Sequence, residues 1–351
     1  MGKYKKALLV LLFLCAIVGM LSATGTKDAV GNAPAQGSQD EIKPATYTWI
    51  AGGMGGGWYT MAGGFARLVN EKEPKITIKV IPGGGVANPS QLSNGDADFA
   101  WGVGYVDKAA YSGLAPIYDK PYKNINSFAG TMAVDYYHFL AAKDQGVTKF
   151  EELIAKIKAG EKVKIAAPMT GTSDFVMTSF VLKFYGVTYD MIKANGGTVM
   201  QAVYGDIPSL FKDRHVDYAF ATLGLPGAIM TEMTVSRPSV LMAISDEVID
   251  YCATTYGTVA RASGLAKVPG GTYPGMPDAI QTLCHSTELL VSPNVPANVV
   301  YAITKILNEN KEFLLQFGAG YKAFDPKTAG KTVQVPLHPG AAKYYKEVGN
   351  L

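Results

Sequence analysis

The sequence predicts an α/β fold of two similar lobes, and three observations support that prediction. Apolar runs of strand length alternate with helical patterns along the 351 residues, as in α/β proteins. Behind a hydrophobic N-terminus and a polar stretch, about 300 residues remain, which is enough for two lobes of ordinary domain size. The order of motifs in the first half of this region recurs in the second half.

The N-terminus "MGKYKKALLVLLFLCAIVGMLSA" has the pattern of a secretory signal, with a basic start, an apolar stretch and a small-residue end. We expect residues 1–23 to be a signal peptide, cleaved after Ala23. Cys15 follows Leu14 inside the apolar stretch, which argues against a lipoprotein signal, and an uncleaved membrane anchor stays an alternative. Residues 24–45 are small and polar, as in a flexible linker. The expected location is the periplasm or the outer face of the cytoplasmic membrane.

Charge and cysteine content exclude several classes of protein. The net charge of +3 falls to zero without the three lysines of the signal, so no basic face for nucleic acid is predicted. Cys252 is expected on a helix and Cys284 on a strand, and whether they pair stays open. Their spacing is not that of metal ligands. We expect a monomer without cofactor or metal.

Residues 50–70, "IAGGMGGGWYTMAGGFARLVN", follow the predicted strand "TYTWIA" and enter a helix. The loop is not a phosphate-binding P-loop, because Gly57 is followed by Trp58 instead of Lys and Ser or Thr. Trp58 also stands where the dinucleotide motif needs its last glycine. Glycines let a backbone approach a ligand, and a helix start favours a small anion such as a carboxylate. A tight turn without a ligand is the alternative.

Two segments later in the chain echo this region. "IPGGGVANPSQLSNGDADFAWG" matches "VYGDIPSLFKDRHVDYAFATLG", and "VKIAAPMTGTSDFVMTSFVLKFYG" places Gly171 opposite Gly55. Each half thus reads strand, loop, helix, strand, helix, strand. We expect the first lobe to comprise residues 46–136 and 288–351, and the second residues 137–287. The chain then crosses between the lobes near 135–142 and 283–291, where we expect hinges.

Two facing α/β lobes form a cleft, and ligands of such sheets bind beyond the carboxyl ends of the strands. The candidate loops are residues 52–58, 83–88, 170–173 and 222–227. The predicted ligand-binding residues are Gly53, Met54, Gly55, Gly57, Trp58, Tyr59, Gly84, Gly85, Asn88, Trp101, Thr170, Gly171, Thr172, Ser173, Thr222 and Gly224. Met54, Trp58, Trp101 and Val103 are expected to form an apolar wall; the alternative is that they pack into the lobe.

Catalytic groups are not evident from spacing. No Ser–His–acid or Cys–His arrangement emerges, and the four histidines (His138, His215, His285 and His338) are predicted to be structural or solvent-facing. None of Arg67, Arg214, Arg237 and Arg261 falls in a candidate cleft loop, so a bound anion would rest on backbone and hydroxyl groups. We therefore expect no enzymatic activity.

The motifs "GGMGGGWYTMAGGFARLVN", "IPGGGVANPSQLSNGDADFA", "AAPMTGTSDFVMTSFVLKFYGVT", "LPGAIMTEM" and "LHPGAAKYYKEVG" together resemble the TAXI-type solute receptors of TRAP transporters. The resemblance implies a two-lobed periplasmic-binding-protein fold (type II-like) with a ligand cleft between the lobes. It also implies capture of a small carboxylate, such as an organic acid, without catalysis, and delivery to an integral membrane permease.

The sequence departs from the usual TAXI pattern in the first lobe. Met54 and Trp58 replace a threonine and a tyrosine, Gly85 and Ala87 replace a serine and a glutamate, and Val103 replaces a glutamine. These changes put the usual ligand in doubt. An enzyme on the same two-lobed fold and a ligand-binding sensory surface protein are the alternative functions.

Overall fold

The computed structural model describes residues 41–351. The predicted signal peptide and residues 24–40 of the predicted linker lie outside the described residues. Residues 41–44 have no regular structure, and the first strand begins at Ala45, which was predicted to end the linker. Between residues 41 and 351, no helix has the length and apolar character needed to cross a membrane.

The described residues form strands β1 (Ala45–Ile50), β2 (Ile76–Ile81), β3 (Phe99–Val103), β4 (Asn126–Ala129), β5 (Val134–Ala142), β6 (Lys164–Ala167), β7 (Thr198–Gln201), β8 (Tyr218–Leu223), β9 (Ser239–Leu241), β10 (Lys267–Val268), β11 (Ile280–Gln281) and β12 (Cys284–Val291).

The helices are α1 (Gly57–Lys72), α2 (Ala87–Asn94), α3 (Gly104–Ser112), α4 (Phe150–Lys158), α5 (Ser173–Phe184), α6 (Tyr189–Ala194), α7 (Ile207–Lys212), α8 (Ala228–Ser236), α9 (Asp246–Tyr256), α10 (Ala297–Glu309), α11 (Lys311–Leu314) and α12 (Pro339–Glu347). Short 3-10 helices lie at Lys143–Gln145, Arg261–Ser263, Leu315–Phe317 and Ala319–Ala323.

One large sheet runs through the molecule in the order β2-β1-β3-β12-β5-β8-β6-β7, with β4 paired to β12 and β9 to β5. In its first half, β1 lies between β2 and β3 and is parallel to both. In its second half, β6 lies between β7 and β8 and is parallel to both. The order β2-β1-β3 therefore recurs as β7-β6-β8, which explains the sequence echo. The two half-sheets with their helices are called the first and second lobes, and the predicted two-lobed α/β fold is confirmed.

Two strands belong to both lobes. β5 pairs with β12 through residues 134–136 and with β8 through residues 136–141, antiparallel in both cases. β12 pairs with β5 through residues 284–286 and with β3 through residues 287–291, again antiparallel. The chain thus passes between the lobes along β5 and β12, which overlap the segments predicted to cross.

The packing joins the lobes at their base. Trp49, Phe65, Phe99 and Phe128 form an aromatic core in the first lobe, with mostly edge-to-face contacts, and α10 and α12 cover it. Another core draws residues from both lobes, from Ile50 and Val103 in the first to Phe150 and Phe220 in the second. Because this apolar core is continuous across β5 and β12, it fixes the positions of the two lobes below the loops that meet between them.

Candidate functional site

Five loops lie at the carboxyl ends of the parallel strands. Residues 51–56 follow β1 and residues 82–86 follow β2 in the first lobe. Residues 168–172 follow β6, residues 202–206 follow β7 and residues 224–227 follow β8 in the second lobe. Open α/β sheets bind their ligands at this edge. The space bounded by these loops is called the cleft.

Loops of opposite lobes touch each other across the cleft. The carbonyl of Gly171 accepts hydrogen bonds from the backbone N–H groups of Val86 (3.2 Å) and Ala87 (3.1 Å) at the start of α2. On the other side, the backbone nitrogen of Gly205 would lie 3.0 Å from a Cβ on Gly55. Gly55 also has a positive φ of 83°, which favours glycine. The glycines at these two points permit the close approach of the lobes.

The loop after β1 leads directly into α1. A Cβ on Gly56 would lie 3.0 Å from the carbonyl of Gly53 and 3.1 Å from the ring of Tyr204, so this position has no room for a side chain. The first backbone N–H groups of α1, at residues 57–59, find no acceptor among the described residues, as is usual at a helix start. These donors and the helix dipole favour a negative or polar group there.

Asn88 fixes the loop after β2. It is fully buried, and its Oδ1 accepts a hydrogen bond from the backbone N–H of Gly84 (2.9 Å). Its Nδ2 donates to the carbonyls of Ala51 (2.8 Å) and Trp101 (2.7 Å). Asn88 therefore ties this loop to the ends of β1 and β3, and we infer that it positions backbone instead of contacting a ligand.

Gly84 and Gly85 lie against the second lobe. A Cβ on Gly84 would be 2.8 Å from the carbonyl oxygen of Gly171, and a Cβ on Gly85 would be 2.6 Å from Oγ of Ser173. Any side chain at either position would hold the lobes apart. These two predicted site residues therefore serve the contact between the lobes.

The start of α5 already holds a carboxylate of the chain itself. Thr172 is the N-cap, and its Oγ1 accepts a hydrogen bond from the backbone N–H of Phe175 (3.3 Å). Asp174 lies in the first turn and is 4% exposed. Burial raises the pKa of Asp174, while hydrogen bonds from Thr172, Tyr204 and the backbone of this turn lower it. The negative group that we expected a ligand to supply here is thus Asp174.

Asp135 on β5 lies at the base of the cleft and is 5% exposed. Its Oδ2 accepts a hydrogen bond from Nε1 of Trp58 at 2.7 Å. Burial raises the pKa of Asp135 to about 6, the Trp58 hydrogen bond lowers it, and the charge of Asp174 raises it. Trp58 also stacks on Trp101, with ring centroids 5.3 Å apart. Trp58 is therefore held between an acid and an aromatic core residue.

Tyr204, on the loop after β7, contacts the start of α5 and the end of β8 in the second lobe and the glycine loop of the first lobe. Its hydroxyl donates to the carboxylate of Asp174, lies 3.0 Å from the carbonyl of Thr222 and accepts from the Thr222 N–H at 3.1 Å. Its ring covers Gly56 of the first lobe. The Oγ1 of Thr222 is buried and has no hydrogen-bond partner within residues 41–351.

The other predicted site residues are distributed around the cleft. Met54 and Thr170 are exposed, and Thr170 Oγ1 accepts from Gln201 Nε2 at 2.8 Å. Trp101 and Val103 are fully buried, so the predicted apolar wall is reduced to Met54 and Trp58. Tyr59 is half-buried against the first-lobe core, and Gly53 and Gly57 have open space where a Cβ would stand.

Asp135, Asp174 and Tyr204 were not among the predicted site residues, although the sequence carries signals for them. Asp135 is an acid inside the otherwise apolar and aromatic run "VDYYHFLAA". Asp174 directly follows the predicted loop 170–173. Tyr204 lies in "VYGDIPS", the segment that echoes the glycine loop at 83–88. The similarity of these two segments is sufficient to predict that residues 202–206 form a fifth cleft loop.

The buried histidines have structural partners, as predicted. His138 uses Nδ1 with the carbonyl of Tyr136 and Nε2 with the hydroxyl of Tyr273, both at 2.8 Å. His285 Nδ1 meets the hydroxyl of Tyr137 at 3.0 Å. Burial lowers the pKa of His138 to about 4 and that of His285 to about 3, so both are neutral. Over residues 41–351, no group of three or more His, Cys, Asp or Glu side chains is placed to hold a metal ion.

Solved structures of the same fold include MatC from Rhodopseudomonas palustris with bound malate. MatC is 14% identical, with a TM-score of 0.52, and the match covers 87% of this chain and 96% of MatC. The periplasmic binding protein BugD is 13% identical, with a TM-score of 0.48 and coverage of 88% and 98%. A TctC solute binding protein from Polaromonas is 13% identical, with a TM-score of 0.45 and coverage of 88% and 99%.

The likeness to MatC shows that the two lobes form a periplasmic-binding-protein fold. The sequence profile of a family described as the NMT1-like family matches residues 50–349, from the end of β1 to the residues after α12. The matched segment contains all five cleft loops and both crossing strands. The protein therefore belongs to the NMT1-like family.

Proposed function

We propose that this protein is an extracytoplasmic solute receptor that binds a small organic solute in the cleft and delivers it to an integral membrane permease. The observation that carries the proposal is the convergence of five loops from two lobes on the buried acids Asp135 and Asp174 and on the half-buried Tyr204. The family and the fold support it, and MatC, with bound malate, is a protein of this fold with a small organic solute.

The TAXI type of TRAP transporter is the proposed system. Its support is the joint order of the motifs in the loops after β1, β2 and β6, together with the geometry of Gly171 and Thr172 at the start of α5. The proposed location is the periplasm or the outer face of the cytoplasmic membrane. That proposal rests on the signal pattern of residues 1–23 and the tether-like composition of residues 24–45.

The small carboxylate predicted from the helix starts stays a prediction. At the start of α5, Asp174 already provides a carboxylate. At the start of α2, the carbonyl of Gly171 already accepts the first N–H groups. The start of α1, at residues 57–59, is the place left for such a group. The proposed lobes are residues 46–136 with 288–351, and 137–287, and they hinge on β5 and β12.

Trp58 provides the test of solute binding. Its indole lies between Asp135 and Trp101, so a solute that enters the cleft should change its fluorescence. We expect saturable binding of a small organic molecule by calorimetry and by fluorescence, without chemical turnover. Trp58→Phe should remove the fluorescence signal, whereas Trp49→Phe, in the aromatic core of the first lobe, should leave it.

Other results would favour the alternative functions. Conversion of a bound compound, detected by mass spectrometry, would favour an enzyme on this fold. Binding that never leads to uptake when the receptor is reconstituted with its membrane partner would favour a sensory surface protein. Absence of any bound or co-purifying small molecule would contradict the receptor function.

A further inference from the structure

The cleft contains two buried acids and no basic partner for them. Asp135 and Asp174 are 5% and 4% exposed, and the charge of Asp174 acts on Asp135. Within the described residues, neither acid forms an ion pair with Lys, Arg or His. Removing a carboxylate from water without an opposite charge is costly, and two like charges increase that cost.

The arginines that would neutralise such a pair are engaged elsewhere. Arg237 is buried and bonds to Asp144 and Asp217. Arg214 also bonds to Asp144, and Arg261 bonds to two acids of α9. The second lobe therefore pairs acids with arginine at several sites but leaves the two cleft acids without a cation.

Beside the two acids, two oxygen atoms lack a hydrogen-bond partner within residues 41–351. Asp135 Oδ2 is bonded to Trp58, but Oδ1 receives no donor from residues 41–351. Gly224 lies next to this oxygen, because a Cβ on Gly224 would be 3.4 Å from Oδ1. Since glycine has no side chain, the space beside Oδ1 stays open. The residue Thr222 is 9% exposed, and its Oγ1 has no partner in the same part of the chain. The backbone N–H of Thr222 donates to the hydroxyl of Tyr204.

Aromatic rings border the same place. Trp58 donates to Asp135 from one lobe, and Tyr204 donates to Asp174 from the other. Both rings meet the acids through their polar edges, so they fix the positions of the two carboxylates. The carboxylates that these rings hold and the hydroxyl of Thr222 together form a site for a positively charged hydrogen-bond donor.

We propose that the solute carries a protonated nitrogen, which binds Asp135 and Asp174 between Trp58 and Tyr204. This inference rests on the proposed receptor function and names its substrate class, an organic cation, in place of the small carboxylate predicted from the helix starts. The ammonium group donates to Asp135 Oδ1 and to the hydroxyl of Thr222, and its charge offsets those of the two acids. A dicarboxylate would instead bring further negative charge to this place.

The test compares amines with acids on the full mature chain. Calorimetry at pH 7.5 measures binding of butylamine, phenylethylamine and benzylamine against succinate and glutarate. We expect at least one amine to bind and the two dicarboxylates not to bind. Asp135→Asn keeps an acceptor for Trp58 but removes the charge, so amine affinity should fall roughly tenfold to a hundredfold, the range for a lost hydrogen bond to a charged group.

Asp190→Asn is the matched control, since it removes the same charge from α6, where the Asp190 side chain is 91% exposed. Its amine affinity should equal that of the wild type. If Asp135→Asn fails to fold, Asp174→Asn with Tyr204 retained replaces it, and the same loss of affinity is expected. Amine binding should also weaken as the pH falls below about 6, because Asp135 becomes protonated.

Failure of all three amines to bind overturns the inference. Binding of succinate or glutarate in that case leaves the receptor function in place, because a solute still enters the cleft. Amine affinity that is unchanged in the folded Asp135→Asn or Asp174→Asn variants also overturns it. Amine affinity that increases as the pH falls through 6 would show that the acids do not bind the nitrogen.

Discussion

The side chain of Glu288 lies on β12, just past the point where that strand leaves β5 for β3, and it is buried beside Asp107 of α3. Its Oε2 accepts hydrogen bonds from Oγ of Ser127 (2.8 Å) and from the backbone N–H of Gln334 (2.9 Å). Burial raises the pKa of Glu288 to about 7 and that of Asp107 well above its usual value. Two adjacent acids in an apolar surrounding share a proton more easily than they both ionise.

We predict that Glu288 and Asp107 contribute stability that grows as the pH falls from 8 to 5.5, against the opposite contribution of His138 and His285, whose pKa values are lowered. The folded state binds protons at Glu288 and Asp107 more tightly than the unfolded chain does. Their contribution to stability is therefore complete below the ordinary carboxyl pKa and is lost as the pH rises through about 7. Urea unfolding across this range measures the slope.

Glu288→Gln should remove the contribution of this pair to the dependence of stability on pH, because the amide keeps the hydrogen bonds without titrating. Glu309→Gln, at the exposed end of α10, is the control and should leave the slope unchanged. Asp135 contributes to the slope with the same sign, so the difference between the variants isolates the Glu288–Asp107 pair. The same dependence of stability on pH in Glu288→Gln and in the wild type would contradict the assignment.

Among the elements, α1 carries two adjacent glycines with opposite surroundings. A Cβ on Gly64 would lie 2.1 Å from Cζ of Phe317, whereas no atom lies within 4 Å of a Cβ on Gly63. The helix therefore packs closely on the 3-10 helix Leu315–Phe317 through Gly64. Because α1 begins at the glycine loop, this contact helps to set where that loop stands.

We predict opposite effects of alanine at these two positions. Gly63→Ala should stabilise the protein by about 0.5–1 kcal/mol, because alanine loses less backbone entropy in a helix. Gly64→Ala should lower the free energy of unfolding by about 1–3 kcal/mol, because Phe317 must move from a packed position. Urea unfolding of the two variants compares them directly. Equal effects of the two substitutions would show that α1 does not pack as described.

Hydrophobic periodicity and glycine content predict strands and helices well where the two alternate regularly along the chain. The strand, glycine loop and helix at residues 46–72 follow from hydrophobic period and glycine content, and the echo predicts the same arrangement at α5. Cys252 was expected on a helix and Cys284 on a strand, and they lie on α9 and β12. Both cysteines are buried and free.

Side-chain roles at the cleft follow from tertiary contacts that the sequence does not display. Asn88 was predicted to bind the ligand as part of the candidate loop 83–88, but its side-chain partners are backbone groups of Ala51, Gly84 and Trp101. Trp101 is a core residue because β3 lies in the middle of the first half-sheet. Asp135 becomes a cleft residue only because β5 joins both lobes.

At the scale of the whole molecule, the contact between Gly171 and the start of α2 closes the cleft. The Cβ of Ala87 is 3.9 Å from where a Cβ on Gly171 would stand, within the range of disulfide-bonded cysteines. Opening the lobes must separate these two residues, because they belong to opposite lobes. A bend in β5 and β12 is the motion that does so with the least disturbance of the two half-sheets.

We predict that Ala87→Cys combined with Gly171→Cys locks the cleft when oxidised. The locked protein should exchange solute far more slowly than the reduced protein, and its radius of gyration by small-angle scattering should not change with solute. The wild type should show a smaller radius when solute is added. Gly171→Cys alone controls for the positive φ of 90° at this position, where a side chain costs about 1–3 kcal/mol. Equal exchange rates in oxidised and reduced protein would contradict closure at this contact.

The two acids of the cleft, which have no cationic partner within residues 41–351, have a consequence for the proposed transport cycle. Closing the lobes withdraws Asp135 and Asp174 from water together, and without a cation this is unfavourable. Solute binding removes that penalty, so the closed shape is populated mainly by loaded molecules. A permease that recognises only the closed shape then ignores unloaded receptors. Electrostatic repulsion inside the receptor would thereby prevent futile cycles, in which an ion gradient is spent with no cargo moved.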